Sequence, residues 1–409
     1  MTLTTPRPCL HGHAFTSTFR TLVDDIRRGA LDRERTRRLP FAEVRALQEI
    51  GFGRRRLADD GSPATRLADV FDELIDLAAA DSNVAHLYRG HLAFVETLLL
   101  NPDSADSIRW RDRILSGDFV GNAQSEKQET AEITTRITRL DGVPLLTGRK
   151  FYTTGSIYAD WIYLSALDGD ERVGVTVRTA HNGVSVVDDW DGFGQKLTGS
   201  GTAVFTDVPI DPADITRAEP DSRQSRYLAA VFQLCLLATA AGIAQAALDD
   251  TVDFVRPRRR IFGFAGEALP RENELVQAVV GKVASAAWSA RAIVRSSADE
   301  LDRALRDSIS GRGTDEAFLM AELNVFKAQQ VVLPLVLDAT TELFEVGGAS
   351  AVGTGAALDR HWRNARTVAS HNPAVQRARQ IGDYHLNDRP PSWQGAGAPA
   401  ETTQGSARA

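Results

Sequence analysis

Residues 130–143, TAEITTRITRLDGV, alternate polar and apolar side chains and end on Asp141-Gly142 and a valine. Alternation with a period of two is the pattern of a half-buried strand, and Asp-Gly suits a two-residue hairpin turn because both positions must take positive φ. This stretch decides the fold, because the chain on both sides of its neighbourhood reads as helix. It makes the middle of the protein a β-domain set between two helical regions.

Downstream of it, ADWIYLSAL, RVGVTVRT, GVSVV and GTAVFTDVPI read as further strands punctuated by Gly and Asn. Upstream, FAEVRALQEIGF and TRLADVFDELIDLAAA carry apolar residues at helical spacing, and Asn83 to Leu100 is apolar around most of its circumference, which predicts one buried helix. NPDSADSIRWRDRILSG then restarts a helix, with Pro102 and Asp103 at its start and Gly117 as its stop. After DVPIDPADITRAEPDSRQ, long helices return over Ser225 to Val255, Arg271 to Leu305 and Asp315 to Glu345, with a final pair around Asp359 to Leu386. The expected class is α+β, with an N-terminal α-helical domain over 1–117, a central β-barrel-like domain over 118–215 and a C-terminal four-helix bundle over 216–390. A tail over 391–409, too poor in apolar residues to pack, is expected to be disordered. This order excludes a doubly wound α/β protein, in which strands and helices alternate throughout.

The 409 residues suffice for two or three cooperating domains, and 43% hydrophobic with 25% charged residues is ordinary globular composition. A net charge of -7 gives no general attraction to nucleic acid or anionic lipid. Cys9 and Cys235 are too few for a disulfide framework or a Cys-based zinc site. The opening MTLTTPRPCLHGHAF lacks the apolar core of a signal peptide, and no apolar run of membrane-spanning length is expected, so a cytoplasmic location is expected.

HExxH, paired-Cys and GxSxG motifs do not occur, and GSGTAV and GTGAAL stop short of a GxGxxG between strand and helix. A nicotinamide held in a Rossmann site is therefore not expected. What remains is a set of polar segments that a purely structural sequence does not need. GNAQSE carries Asn122 and Ser125, GRKFYTTGSIYADW carries Thr153, Thr154 and Ser156, DDWDGFGQKLTGSG carries Trp190 and Ser200, and RPRRRIFG sets Arg259 three residues before Phe262.

In this order the segments resemble the acyl-CoA dehydrogenase superfamily, and within it the flavin-dependent monooxygenase branch that contains dibenzothiophene monooxygenase and the sulfur-acquisition oxidoreductases. The resemblance runs from about Leu39 to Pro391 and includes LDRHWRNART, HNP and GDYHLN. It implies the acyl-CoA dehydrogenase fold, a homotetramer, and a flavin clamped between the β-domain and the bundle. It also implies FMN, delivered reduced by a separate NAD(P)H-dependent reductase, that forms a C4a-hydroperoxide with O2 and oxygenates a small, largely apolar, heteroatom-containing substrate, with organosulfur favoured. FAD is the other flavin it allows. Under the resemblance Asn122, Ser125, Thr153 and Thr154 border the isoalloxazine, Trp190 and Ser200 close its other side, and Arg259 with Phe262 reach the flavin tail in a neighbouring subunit, where arginine suits a phosphate. Thr154 and Asn122 would orient the flavin, while His371, assisted by His91, would donate or relay a proton in a pocket that excludes water.

A dehydrogenase of this fold needs a carboxylate to remove an acidic α-proton, often a Glu in a motif like YEGT. Here SHNP occupies that place, and no Glu lies between Val346 and Ala400. Some members carry the base on an earlier bundle helix, where Asp249, Asp250 and Asp253 stand, so the acyl-CoA dehydrogenase reading is one alternative; an N- or ring-hydroxylating monooxygenase is another. Phe344 occupies the place of the FAD-binding Gln before Gly347-Gly348, which favours FMN. Taken alone, His371 is a helix-end residue suited to the helix dipole, and His91 is a core histidine. His86, five residues before His91, shares no face with it and makes a poor metal pair.

Overall fold

The computed structural model describes residues 12–127, 133–217, 219, 221–260 and 269–392. Phe262 and the chain after Ser392 lie outside the described residues. Six helices come first: α1 (Gly12–Thr36), α2 (Phe41–Ile50), α3 (Leu67–Ala80), α4 (Ser82–Leu87), α5 (Arg89–Leu100) and α6 (Ala105–Leu115). The expected single helix over 83–100 is two helices that meet at Tyr88. Asp81 caps the first, its carboxylate accepting the Asn83 N–H at 3.0 Å. The joint lies against the β-domain: Gly155, at φ 82°, packs so closely on the Leu87 carbonyl that a Cβ would lie 2.5 Å from the oxygen.

The sheet comprises β1 (Val120–Ala123), β2 (Arg136–Leu140), β3 (Val143–Lys150), β4 (Trp161–Asp168), β5 (Glu171–Arg178), β6 (Val184–Val187), β7 (Thr202–Pro209) and β8 (Ile215–Thr216). The Asp141-Gly142 hairpin is present as expected: Leu140 pairs with Val143, and both turn residues have positive φ, 49° and 82°. The strands form an open path β6-β7-β3-β2-β4-β5-β8, with β1 parallel to β4 alongside it. A separate apolar core built on Ile162, Leu164, Val175 and Phe205 holds the sheet together.

The C-terminal helices are α7 (Arg223–Val255), α8 (Glu274–Ile309), α9 (Asp315–Glu342), α10 (Asp359–Ala369) and α11 (Ala374–Asn387). Ser222, Asn273 and Thr314 cap the first three through side-chain oxygens. The expectation of no apolar run of membrane-spanning length fails at α7, which is long and apolar enough to cross a bilayer. Its most apolar window is 89% buried inside the protein, because α3, α8 and α9 pack around it. One continuous core joins α1–α6 to α7–α10. The helices before and after the sheet therefore form one packed body, and the sheet leans on its side.

Candidate active site

The segment Ser370–Pro373 is the joint between α10 and α11, placed there because Pro373 cannot donate the N–H that would continue a helix. Two bundle helices pin it. Gln233 of α7 accepts the Asn372 side-chain amide at 2.8 Å, and Gln329 of α9 donates to the Asn372 carbonyl at 3.1 Å. His371 projects from this joint with Nδ1 3.3 Å from Asn372 Oδ1. It keeps accessible surface, yet protein surrounds it densely enough for burial to be the main cause that holds its imidazole well below the usual range, so its open side faces a recess.

Across that recess stands His86, in the last turn of α4, with ring centroids 6.0 Å apart. His86 is buried; its Nδ1 lies 3.1 Å from Gln195 Oε1, and its Nε2 is buried with no hydrogen-bond partner. Arg89, at the start of α5, completes the group. Its Nε donates to the Phe232 carbonyl at 3.0 Å and its guanidinium sits 4.6 Å above the Phe232 ring. Burial, then the charge of Arg89, pushes the His86 imidazole down to about 4, and Arg89 with His86 adds to the depression at His371. At neutral pH the recess therefore holds two neutral imidazoles beside one fixed cation.

The β-domain supplies the facing wall. Asn122 sits in β1, its backbone carbonyl accepting the Ser156 hydroxyl at 3.3 Å while its side-chain Oδ1 is buried and unpartnered. Gly90 lets α5 approach it: a Cβ at Gly90 would lie 2.5 Å from Asn122 Cβ. Next to it a ladder of buried hydroxyls runs Thr154–Ser200–Thr198, each step 2.7 Å, and ends on the Gln195 carbonyl at 2.9 Å. That carbonyl can only accept, so Thr198 donates to it, Ser200 donates to Thr198, and Thr154 donates to Ser200. Thr154 is left with lone pairs alone to offer. Trp190 begins the same loop; its indole N–H bonds the Gly194 carbonyl at 3.1 Å and its ring lies 6.0 Å from Tyr152.

The contacts thus connect Asn122, Thr154 and Ser200 to Gln195, His86 and His371. His91, expected to assist His371, is engaged elsewhere. Its Nδ1 accepts the Val120 N–H at 3.1 Å, its Nε2 meets the Gly53 carbonyl at 2.9 Å, and burial pushes it down to about 4. Both ring nitrogens are used by main chain, and His86 takes the place beside His371. Thr153 gives its hydroxyl to the Gly201 carbonyl at 3.0 Å, and Ser125 is an exposed residue bridged to Phe151. Arg259 is exposed beyond the end of α7, roughly 33 Å along the helix from Gln233 at 1.5 Å per residue, far from this recess. Asp249 pairs with Arg27 and Asp250 with His361 and Arg360, while Asp253 is exposed.

A cavity of about 740 Å³ adjoins the group. Gly90 and Phe232 line it, the residues that touch Asn122 and Arg89; Phe94, Trp110, Tyr163 and Leu228 form an apolar wall on one side, and Asp103, Asp106 and Arg217 with several hydroxyl and amide side chains make the other side polar. A concave site with an apolar wall and polar groups that can fix an orientation is the kind of place a small molecule binds.

Residues 234–376 match the family described as "Acyl-CoA dehydrogenase, C-terminal domain". The chain is similar to the "Probable FMNH2-dependent monooxygenase SfnC" of Pseudomonas putida, 26% identical over 95% of this chain and 97% of that protein. It is also similar to the dibenzothiophene monooxygenase of Mycolicibacterium goodii, 26% identical over 77% of this chain and 80% of that one. Among solved structures, TdsC of Paenibacillus sp. A11-2 with FMN and indole superposes with a TM-score of 0.85 at 26% identity, covering 93% of this chain and 99% of that chain.

Proposed function

We propose, from the match of residues 234–376 to the acyl-CoA dehydrogenase C-terminal domain and the likeness of the whole chain to FMN-dependent monooxygenases, that this chain is a flavin-dependent monooxygenase of that superfamily and the oxygenase of a two-component system. Reduced FMN comes from a separate NAD(P)H-dependent reductase, and the substrate is a small, largely apolar compound, with organosulfur favoured. We further propose that it works as a cytoplasmic homotetramer in sulfur metabolism. The observation that carries this reading is the meeting of His86 and His371, the second of which lies in the SHNP segment that, by the resemblance, stands in place of a dehydrogenase's glutamate motif. Of the three aspartates on the earlier bundle helix, Asp249 and Asp250 are paired with arginine or histidine and Asp253 is exposed.

The residues fit a reduced flavin. The unpartnered Asn122 Oδ1 and the lone pairs of Thr154 are acceptors, matched to the N–H groups of a dihydroflavin. In the reading proposed here Asn122, Thr154, Ser200 and Trp190 hold the ring system. Arg259 with Phe262 holds the phosphate end across a subunit boundary. Bound reduced FMN supplies two electrons and activates O2.

The chain's own residues do the rest. The apolar wall of the 740 Å³ cavity takes the apolar part of the substrate. His371 and His86 enter neutral and handle the proton at the reacting oxygen, accepting it and passing it on. Burial first, and then the fixed charge of Arg89, keep both imidazoles from being protonated at rest.

The test supplies the protein with FMN, a flavin reductase, NADH, catalase and 18O2, and screens organosulfur compounds beginning with dibenzothiophene. The expected result is one 18O atom in the product. Anaerobic bleaching of the bound flavin by an acyl-CoA thioester, with no 18O incorporated from any compound, would overturn the reading in favour of a dehydrogenase.

A further inference from the structure

Gln195 has a backbone that its side chain does not favour. Its φ is 51°, in the left-handed region where glycine is the relaxed choice and other residues cost on the order of 1–2 kcal/mol. The surroundings hold it there from four sides. Its N–H donates to Asn364 Oδ1 at 2.7 Å, its carbonyl accepts the Thr198 hydroxyl at 2.9 Å, its side-chain Nε2 donates to Ser82 Oγ at 2.9 Å, and its Oε1 lies 3.1 Å from His86 Nδ1. Gly194 makes the approach possible, since a Cβ there would lie 2.2 Å from the Arg363 carbonyl oxygen. The side chain is almost fully buried, 1% exposed, and every polar atom of the residue is used.

Resting on the oxygenase reading of this recess, we propose that Gln195 is a positioning residue that fixes the tautomer of His86. The amide is oriented with its nitrogen toward Ser82 and its oxygen toward His86, and an amide oxygen can only accept. In this orientation His86 Nδ1 carries the proton. Its Nε2 is left as a bare lone pair, buried and without a partner, in the ring that stands edge-on to His371. His86 is thereby set as a proton acceptor, and the strained glutamine is retained for that orientation. The same loop carries Trp190 and Ser200, so the segment assigned to the flavin also sets the imidazole. The charged and titratable groups that act on His86 are Arg89 and His371.

Two substitutions separate this role from loop structure. Gln195→Gly relaxes the backbone and removes the side chain; Gln195→Glu keeps an acceptor against Nδ1. Nitrogen-15 spectra of histidine-labelled, flavin-free protein, with the His86 signal identified by its loss in His86→Gln, read the tautomer directly. The wild type and Gln195→Glu are expected to show a protonated Nδ1 and a bare Nε2, and Gln195→Gly a mixture of tautomers. Gln195→Gly should lower kcat at least tenfold with FMN affinity within twofold, and Gln195→Glu should recover most of kcat while moving the acid limb of the pH profile upward. A bare Nδ1 in the wild type, or a Gln195→Gly protein with unchanged tautomer and kcat, would overturn the proposal. The spectra need no turnover: a tautomer set as described in a protein that oxygenates nothing would sink the oxygenase reading and leave the role of Gln195 standing.

Discussion

His86 and His371 face one another edge-on, ring centroids 6.0 Å apart and planes 66° from parallel, one from the end of a short N-terminal helix and the other from the last joint of the bundle. Each is kept neutral by burial and by Arg89. If the pair handles the proton at the reacting oxygen, His371→Ala should bind reduced FMN normally and lose about 10²–10⁴-fold in product formation, the range for one general acid-base group. The flavin would still be oxidised, so hydrogen peroxide should account for the missing product. Product yield and peroxide per flavin unchanged from wild type would remove His371 from the chemistry.

Arg89 is the second cause, after burial, of the low protonation range of His86 and His371. An imidazole held near 4 stays neutral as pH falls through the usual histidine range, so wild-type turnover should persist below pH 6. Arg89→Met removes the charge and leaves the burial, so the protonation of both histidines should move up only part of the way toward 6.5. The acid limb of kcat should rise with it; a limb that stays in place means that another group governs it.

How much of this was legible in the sequence differs between the two histidines. His371 could be found because Pro373 breaks the helix locally and SHNP stands where a glutamate motif is expected. His86 could not, since its significance lies in a contact with Gln195, 109 residues away, and no local pattern reports a pairing of that range. One signal was available: Asp81 is an N-cap, so α4 starts at Ser82 and His86 falls in its last turn. The apolar run over 83–100 hid that start and suggested a single helix, in which His91 appeared to be the inward histidine. The strands were easier to read, because alternation and an Asp-Gly turn are local. The apolarity of α7 was underestimated because its residues are small; seven of its buried positions are alanines, between Ala229 and Ala247.

The hydroxyl ladder makes Thr154 an acceptor. Oxidised flavin carries no N–H at N5 and reduced flavin does, so Thr154→Val should weaken the reduced form more than the oxidised form. One neutral hydrogen bond is worth about 0.5–1.5 kcal/mol, which corresponds to roughly a two- to thirteenfold loss in relative affinity. Titrating the variant with each form of FMN measures this, and an equal loss for both would show that Thr154 contributes packing alone.

Gly90 is required by the approach of α5 to β1. A methyl there would lie 2.5 Å from Asn122 Cβ, with the Asn122 backbone nitrogen at 3.4 Å, so the strand end has to move. Gly90→Ala should cost about 1–3 kcal/mol of stability, as overpacking does. It should also weaken FMN binding, because the atom displaced carries the unpartnered Oδ1. A thermal unfolding curve and an FMN titration on one sample check both; wild-type values in each would show that the helix and strand can separate freely.

His91 leads to a prediction of the opposite kind. It accepts from the Val120 N–H through Nδ1 and meets the Gly53 carbonyl through Nε2, and it is held at about 4. Its folded value lies below the unfolded 6.5, so between pH 4 and 6.5 the unfolded chain binds more protons than the folded one. Stability is then complete above pH 6.5 and falls as the pH drops toward 4, by about 1.4 kcal/mol per pH unit for each such imidazole. His86 adds a second proton to the same window. Glutamine at position 91 can accept from Val120 and donate to Gly53 without titrating. His91→Gln should therefore reduce that slope by about 1.4 kcal/mol per pH unit, measured by urea unfolding at pH 4.5 to 6.5, while leaving kcat at pH 7.5 close to wild type. A collapse of kcat with the slope unchanged would place His91 in the reaction, because a histidine that only joins Val120 to Gly53 has no reason to matter to turnover.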